Sequence, residues 1–259
     1  MYTEPQKRFS AKKAELVDQE IVSFAKLYPD IRRIFLADGD AMVLSTRRLL
    51  AILEKIPSEF PLVNRVSSYC LPRNVASKSV QELQELSDAG LKLVYVGAES
   101  GDDELLNYIE KGESFHSTES ALLKLKAAGI KTSVMILNGL GGKPFTEQHA
   151  INSARLVNAT QPNYLATLVV SFPKGKQRFL RNFNSDFKFL DQPGLFHEMA
   201  LFLEHTQLEN TIFRSDHASN YLVLKGILGK DKQKLLQTLK LAQQAPDQVG
   251  LREEWQRGL

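Results

Sequence analysis

Along the chain, apolar stretches of helical period and of strand period trade places at a steady interval. Residues 12–28 carry Leu16, Ile21, Phe24 and Leu27 on roughly one face of a helical repeat, and Pro29-Asp30 ends it. Arg33-Ile34-Phe35-Leu36 reads as a strand running into Ala37-Asp38-Gly39-Asp40. A helix over 45–56 is expected to stop before Pro57, and a strand over 62–69 runs into Cys70-Leu71-Pro72. Ser79-Val80-Gln81-Glu82 has capping-box spacing and opens a helix through Ala89, with Gly90 just past its end. The strand Leu93-Val94-Tyr95-Val96 leads into Gly97-Ala98-Glu99-Ser100-Gly101. Helices over 102–110 and 118–128 come next, and a strand over 132–137 runs into Asn138-Gly139-Leu140-Gly141-Gly142. A helix over 146–159 and a strand over 164–170 complete the regular part.

Strand starts near 33, 62, 92, 131 and 164 lie about 30 to 40 residues apart, the length of a βα unit with parallel strands and right-handed crossovers. The breaks after helices are terse, whereas the loops after strands collect Gly, Asp, Glu and Asn. Ligands of parallel α/β folds sit at the C-terminal strand ends, so the chemistry is expected there. The expected fold is α/β: a partial TIM-like (βα) barrel with parallel strands over 1–172, and an irregular α-rich C-terminal extension over 173–259 packed on the barrel. The extension should contain helices over 194–204 and 231–244 and a strand over 208–214. Phe179, Phe183 and Phe187 fall at i, i+4 and i+8 among Lys174, Lys176, Arg178, Arg181 and Lys188, which predicts an amphipathic helix with solvated cations. The chain opens with a helix, where a βα protein normally opens with a strand.

Composition narrows the function classes. In 259 residues, 43% hydrophobic and 24% charged content excludes a disordered or disulfide-stapled chain. No run of about 18 apolar residues exists to span a membrane, and the opening residues lack the apolar core of a secretory signal. The single cysteine, Cys70, cannot form an internal disulfide or alone hold zinc or an iron–sulfur cluster. A buried apolar role for its thiol and a cytoplasmic location are the expectation. With 33 Lys+Arg against 30 Asp+Glu, the net charge of +3 is too small and too dispersed to indicate nucleic-acid binding, although it permits it.

Three strand-tip segments could carry chemistry. In residues 97–104, Ser100 reads as a helix N-cap and Asp103 as the partner completing its box, which leaves Glu99 unexplained. A carboxylate there can accept bonds from ribose hydroxyls or an ammonium group. Asp38-Gly39-Asp40 reads equally as a cation or amine site and as a plain turn. Asn138 and Gly139, with Gly141 and Gly142, let backbone approach a ligand closely, but lack dinucleotide and phosphate-loop spacing. The histidines at 116, 149, 197, 205 and 217 show no ligand spacing and read as surface or satisfied residues. His217, in a polar run over 216–221, is the most site-like of them.

Residues 86–101 resemble the radical S-adenosylmethionine (SAM) superfamily, in the branch of oxygen-independent coproporphyrinogen oxidases and tRNA methylthiotransferases, and Leu105, Leu106, Ile109 and Lys111-Gly112 continue the likeness. By that resemblance Glu99 contacts the ribose or methionine part of SAM, beside Ser100. Asp38-Gly39-Asp40 is a partial match to the Gly-Gly-Glu motif that holds the methionine ammonium, and residues 135–142 are similar to the segment beside the adenine. The likeness spans about residues 5–172, and the run over 217–221 is similar to an uncharacterised subgroup.

The family's C-x-x-x-C-x-x-C loop, which holds a 4Fe–4S cluster, does not occur in this sequence. Met1-Tyr2 and Lys7-Arg8-Phe9 are similar to the residues just past that loop in relatives, so the sequence is expected to start just downstream of the first strand. SAM is thus the cofactor the resemblance implies, and a cluster only where the upstream cysteine loop is present. The expected function is a domain that in full-length form cleaves SAM and abstracts hydrogen from a small-molecule or macromolecular substrate. The alternatives are a cluster-free SAM or nucleoside binding module and a partner-binding protein. No catalytic residue is assigned.

Overall fold

The strand-period stretches become the strands of one sheet, and the helical stretches cover one of its faces. The computed structural model describes residues 10–172, 175–183 and 187–258. In chain order the elements are α1 (Ala14–Leu27), β1 (Arg33–Leu36), α2 (Thr46–Glu59), β2 (Arg65–Cys70), α3 (Pro72–Ala76), α4 (Val80–Asp88) and β3 (Leu91–Glu99). Next come α5 (Asp103–Tyr108), α6 (Phe115–Ala127), β4 (Lys131–Asn138), α7 (Gly142–Thr160) and β5 (Tyr164–Val169). The last part holds α8 (Gln177–Leu180), α9 (Gln192–His205), β6 (Ile212–Ser215), β7 (Leu224–Ile227) and α10 (Lys232–Gln244).

The sheet runs β1 through β7 in sequence order. Strands β1 to β6 pair in parallel, and β7 turns back antiparallel on β6. This is the expected α/β architecture, a partial βα barrel. The sheet also passes without a break from β5 into the segment after 172, which supplies β6 and β7 as well as helices. Strand β7 leaves no signal in the sequence, because four residues with an internal glycine give almost no period to read.

Alternation along β3 separates the two faces. Val94, Val96 and Ala98 are buried under the helices, while Tyr95 and Gly97 point to the open face. Val134, Ile136 and Leu165 extend the buried layer beneath Leu86, Leu122, Leu125, Leu156 and Val157. Each such side chain contributes about 1.5–3 kcal/mol, against about 1 kcal/mol for a good helix cap. The layer therefore sets the fold, and the caps trim its edges. Among those caps, Ser79 and Glu82 form the capping box the spacing predicts.

Three local expectations fail for identifiable reasons. Helix α2 does not stop before Pro57 but carries it within its last turn, where the bond from the Phe60 N–H to the Ile56 carbonyl at 2.8 Å continues the helix. In α1 only Ala25 is buried, and Phe24 and Leu27 are 54% and 69% exposed. That helix packs on α2 at the sheet edge, and no further layer covers its outer side among the described residues. The phenylalanine stripe does not form one helix among the described residues, since α8 is a single turn and Phe187 lies beyond it. Lys174 of that stripe lies outside the described residues, as do Met1, Tyr2, Lys7, Arg8 and Phe9.

Candidate functional site

Because β1 to β6 are parallel, the loops at their C-terminal ends lie along one edge of the sheet. After β1, Asp38 (φ 63°) and Gly39 (φ 127°) take consecutive left-handed conformations, which a short polar residue and a glycine accommodate at least cost. Asp38 is exposed. Asp40 is not available in the same way. Its Oδ1 accepts the Met42 N–H at 2.8 Å, and its Oδ2 accepts the Leu71 N–H at 2.6 Å and the Asn74 amide at 2.7 Å. Burial pushes its pKa up, and those hydrogen bonds pull it back. Asp40 ties the loop after β1 to the loop after β2.

After β3, Glu99 ends the strand with φ 66°, at a bulge that lets its side chain fold back over Gly97. A Cβ built on Gly97 would sit 2.5 Å from Glu99 Oε1 and 3.6 Å from Lys111 Nζ. Glycine at 97 therefore makes room on the open face for an ion pair, with Lys111 Nζ 3.0 Å from Glu99 Oε1 and both side chains largely covered.

Ser100 turns the other way. Its side chain is fully buried, its hydroxyl donates to His149 Nδ1 at 2.7 Å, and its oxygen accepts the Asp102 N–H at 3.0 Å. The residue that caps α5 is Asp102, whose Oδ1 accepts the Leu105 N–H at 2.8 Å. The local spacing predicts Ser100 as cap with Asp103 as its partner. A contact to His149, far along the chain, removes Ser100 from that role. Asp103 instead accepts the Phe115 N–H at 2.6 Å.

The loop after β4 also turns its polar groups toward the helices. Asn138 donates its amide to the Leu195 carbonyl at 3.2 Å, and the Gly139 N–H donates to Glu198 Oε1 at 2.6 Å. His149, from α7, sits between the two loops. Its Nε2 is 3.0 Å from the Leu137 carbonyl, which can only accept, so the hydrogen is on Nε2 and Nδ1 receives the Ser100 hydroxyl. Burial lowers its pKa to about 4, so it is neutral. Glu198, from α9, is also buried, and burial raises its pKa to about 8, against the pull of the Gly139 N–H. Sequence reading misses Glu198 altogether and takes His149 only as one satisfied histidine of five. The available signal is weak: an acid inside the apolar run Leu195-Phe196-His197-Glu198-Met199.

Of the seven predicted site residues, then, Asp38, Gly39 and Glu99 face outward at the edge. Asp40, Ser100, Asn138 and Gly139 are engaged within the protein. The open face below Glu99 carries Phe35, Tyr69 and Tyr95, with ring centroids 4.9, 5.6 and 6.2 Å apart, and Phe35 and Tyr69 are exposed. Cys70 is buried, and burial drives its thiol well above the usual range, as suits a small apolar residue. His217 is exposed at the tip of β6, where its Nδ1 accepts from the Ser219 N–H.

The family model described as the radical SAM superfamily matches residues 3–157, more than half of the chain. Among curated proteins the chain is similar to the heme chaperone HemW of Bacillus subtilis (strain 168), 23% identical over 157 residues, or 59% of this chain and 41% of that one. It thus spans about two-fifths of the length of that relative. Coproporphyrinogen III oxidase (HemN) from Escherichia coli, a radical SAM enzyme, has a similar structure, with a TM-score of 0.58 at 13% identity over 92% of this chain and 62% of that one. Archaeal Elp3 from Methanocaldococcus infernus gives a TM-score of 0.55 at 14% identity over 87% and 58%. These structural likenesses concern the fold, and the family match makes this chain a member of the radical SAM superfamily.

Proposed function

We propose that this chain binds SAM at the C-terminal edge of its sheet, across the loops after β1, β3 and β4. The observation that carries the reading is the Glu99 carboxylate, folded over Gly97 on the open face and held by Lys111. Such a carboxylate accepts hydrogen bonds from ribose hydroxyls, and an ammonium beside it meets the carboxylate of a methionine. Asp38, exposed on a glycine turn at the same edge, offers an acceptor for an amino group. Asn138 and Gly139 contribute shape more than polar contacts, because their hydrogen-bonding groups are already used. The rings of Phe35, Tyr69 and Tyr95 give a substrate, whether small molecule or part of a macromolecule, an apolar wall below the edge.

Members of this superfamily use SAM together with a 4Fe–4S cluster, which supplies the electron for cleavage of SAM to a radical. The donor set of these 259 residues does not fit a cluster. Cys70 is the only thiol, it is buried, and its proton is held more tightly than usual. Among the described residues, no group of three His, Cys, Asp or Glu side chains is placed to hold a metal ion. We therefore assign SAM binding to this chain and no cleavage step. Among the described residues no helix is long and apolar enough to cross a membrane.

Calorimetric titration tests the reading. SAM should bind weakly, with Kd on the order of a hundred micromolar, about −5 kcal/mol. Glu99→Ala should weaken that binding. His116→Ala, at the exposed start of α6, should leave it unchanged. An unchanged Kd in Glu99→Ala would reduce Glu99 to a strand-end charge paired with Lys111.

A further inference from the structure

Two of the edge loops are fastened from behind, by side chains that do not reach the open face. His149 joins the Leu137 carbonyl, at the end of β4, to the Ser100 hydroxyl, in the loop after β3. Ser153, one turn further along α7, accepts the Gly101 N–H at 2.9 Å. Glu198 holds the Gly139 N–H, and its Oε1 lies 3.8 Å from His149 Nε2. The other oxygen, Oε2, is buried with no hydrogen-bond partner, while the Thr146 hydroxyl, which donates to the Gly142 carbonyl at 2.8 Å, lies close enough to the carboxyl to work with the Gly139 N–H against the effect of burial. Glu198 is one of the residues lining a small cavity, with Asn138, His149, Ser153, Thr167 and Met199 among the others.

We propose that Glu198 and His149 are positioning residues that lock the loops after β3 and β4 into one relative arrangement, and so set the spacing of the ligand edge on the opposite face. The inference rests on that edge being the SAM site. The chain of donors is directional throughout: the Asp102 N–H gives to Ser100, the Ser100 hydroxyl to His149, and His149 to the Leu137 carbonyl. The Gly139 N–H gives to Glu198 two residues past Leu137. A shift of either loop breaks a bond in a buried setting, where an unmade hydrogen bond is costly.

The titratable groups facing the pair are the two themselves, from α7 and α9, and Asp102, whose charge acts on His149. No cation among them would hold Glu198 ionised, and burial favours the neutral acid. Burial places that proton's loss near pH 8. Ionisation leaves an unpaired charge in the cavity, and the loop contact at Gly139 must readjust.

The experiment uses the full chain, labelled with 15N, and follows the Ser100, Gly101 and Gly139 amides from about pH 6 to about pH 9.5. In the native protein all three should move together with a midpoint near pH 8. In Glu198→Gln, which keeps an acceptor but cannot ionise, all three should stay flat. A titration of SAM completes the test: Glu198→Gln should bind within about twofold of the native chain, and Glu198→Leu about tenfold more weakly, the scale of one lost hydrogen bond. The lock is overturned if Gly139 does not titrate, if it titrates without Ser100 and Gly101, or if the shifts persist in Glu198→Gln. A folded Glu198→Leu that binds SAM at native strength also overturns it. If the native chain binds no SAM at all, the site reading fails, and the amide titration alone supports or overturns the lock.

Discussion

Glu99 and Glu198 sit on opposite faces of one sheet, and their surroundings differ in every respect that matters. Glu99 lies at the wet edge, shares its charge with Lys111 at 3.0 Å, and occupies space that a glycine leaves open. Glu198, on α9, is buried, has one backbone donor and no cation beside it among the described residues, and holds its proton up to about pH 8. A paired carboxylate that keeps part of its surface open at the edge does little for folding and leaves that part to a ligand. A buried, unpaired one shapes the protein and answers to pH. The same residue type thus serves as a ligand-facing group on one side and as a structural acid on the other.

The largest effect expected from this contrast is the pH dependence of stability. For Glu198 the folded pKa of about 8 lies above the ordinary carboxylate value of 4.5. Its contribution is then fully present below pH 4.5 and is lost as pH rises toward 8. The stability of Glu198→Gln relative to native should rise across that window by on the order of 5 kcal/mol, at about 1.4 kcal/mol per unit. Urea unfolding at a series of pH values reads this directly. Parallel curves for the two proteins would place Glu198 in contact with water.

His149 gives the mirror image on the acid side. Its folded pKa of about 4 lies below the ordinary 6.5, so stability is lost as pH falls from 6.5 toward 4 while the unfolded chain gains a proton. The loss is about 3 kcal/mol by the same arithmetic. His149→Gln, tested by the same unfolding series, should flatten this limb and leave the alkaline one in place.

Gly101 joins the loop after β3 to α7, and a Cβ there would press on the Asn152 backbone and come within 2.8 Å of Ser153 Cα. Gly101→Ala should cost about 2–3 kcal/mol, because backbone cannot retreat as a side chain can. Thermal unfolding measures it. The smallest effect belongs to Glu99: removing one partner of a partly exposed ion pair should change stability by under about 1 kcal/mol. If Glu99→Gln destabilised the chain as much as Gly101→Ala, the contrast between the two faces would fail.

The contrast also marks where the sequence is readable. Parallel strands, their order and the Ser79–Glu82 cap come from local period and spacing, and the structure keeps them. Glu99 stands out because no local role absorbs it. Ser100 is misassigned by local spacing because its hydroxyl is taken by His149, which no local pattern connects to it. Glu198 is invisible for a related reason. A single acid on an apolar helix is ordinarily turned to water, and only the packing of α9 across the end of β4 turns this one inward. Phe24 and Leu27 err in the opposite direction: the helical stripe is real, but nothing among the described residues lies over it. Period shows which face is apolar, and the neighbouring element decides whether that face is covered.

The most direct test of the central claim is where SAM touches the chain. With 15N-labelled protein and SAM added in excess, amide shifts should gather at residues 38–40, 97–101, 111 and 138–142. The loop over 216–219 at the tip of β6, where His217 and Ala218 are exposed, should be left alone. Shifts confined to that loop or to α10, or no shifts at millimolar SAM, about −4 kcal/mol, would contradict SAM binding at the edge built around Glu99.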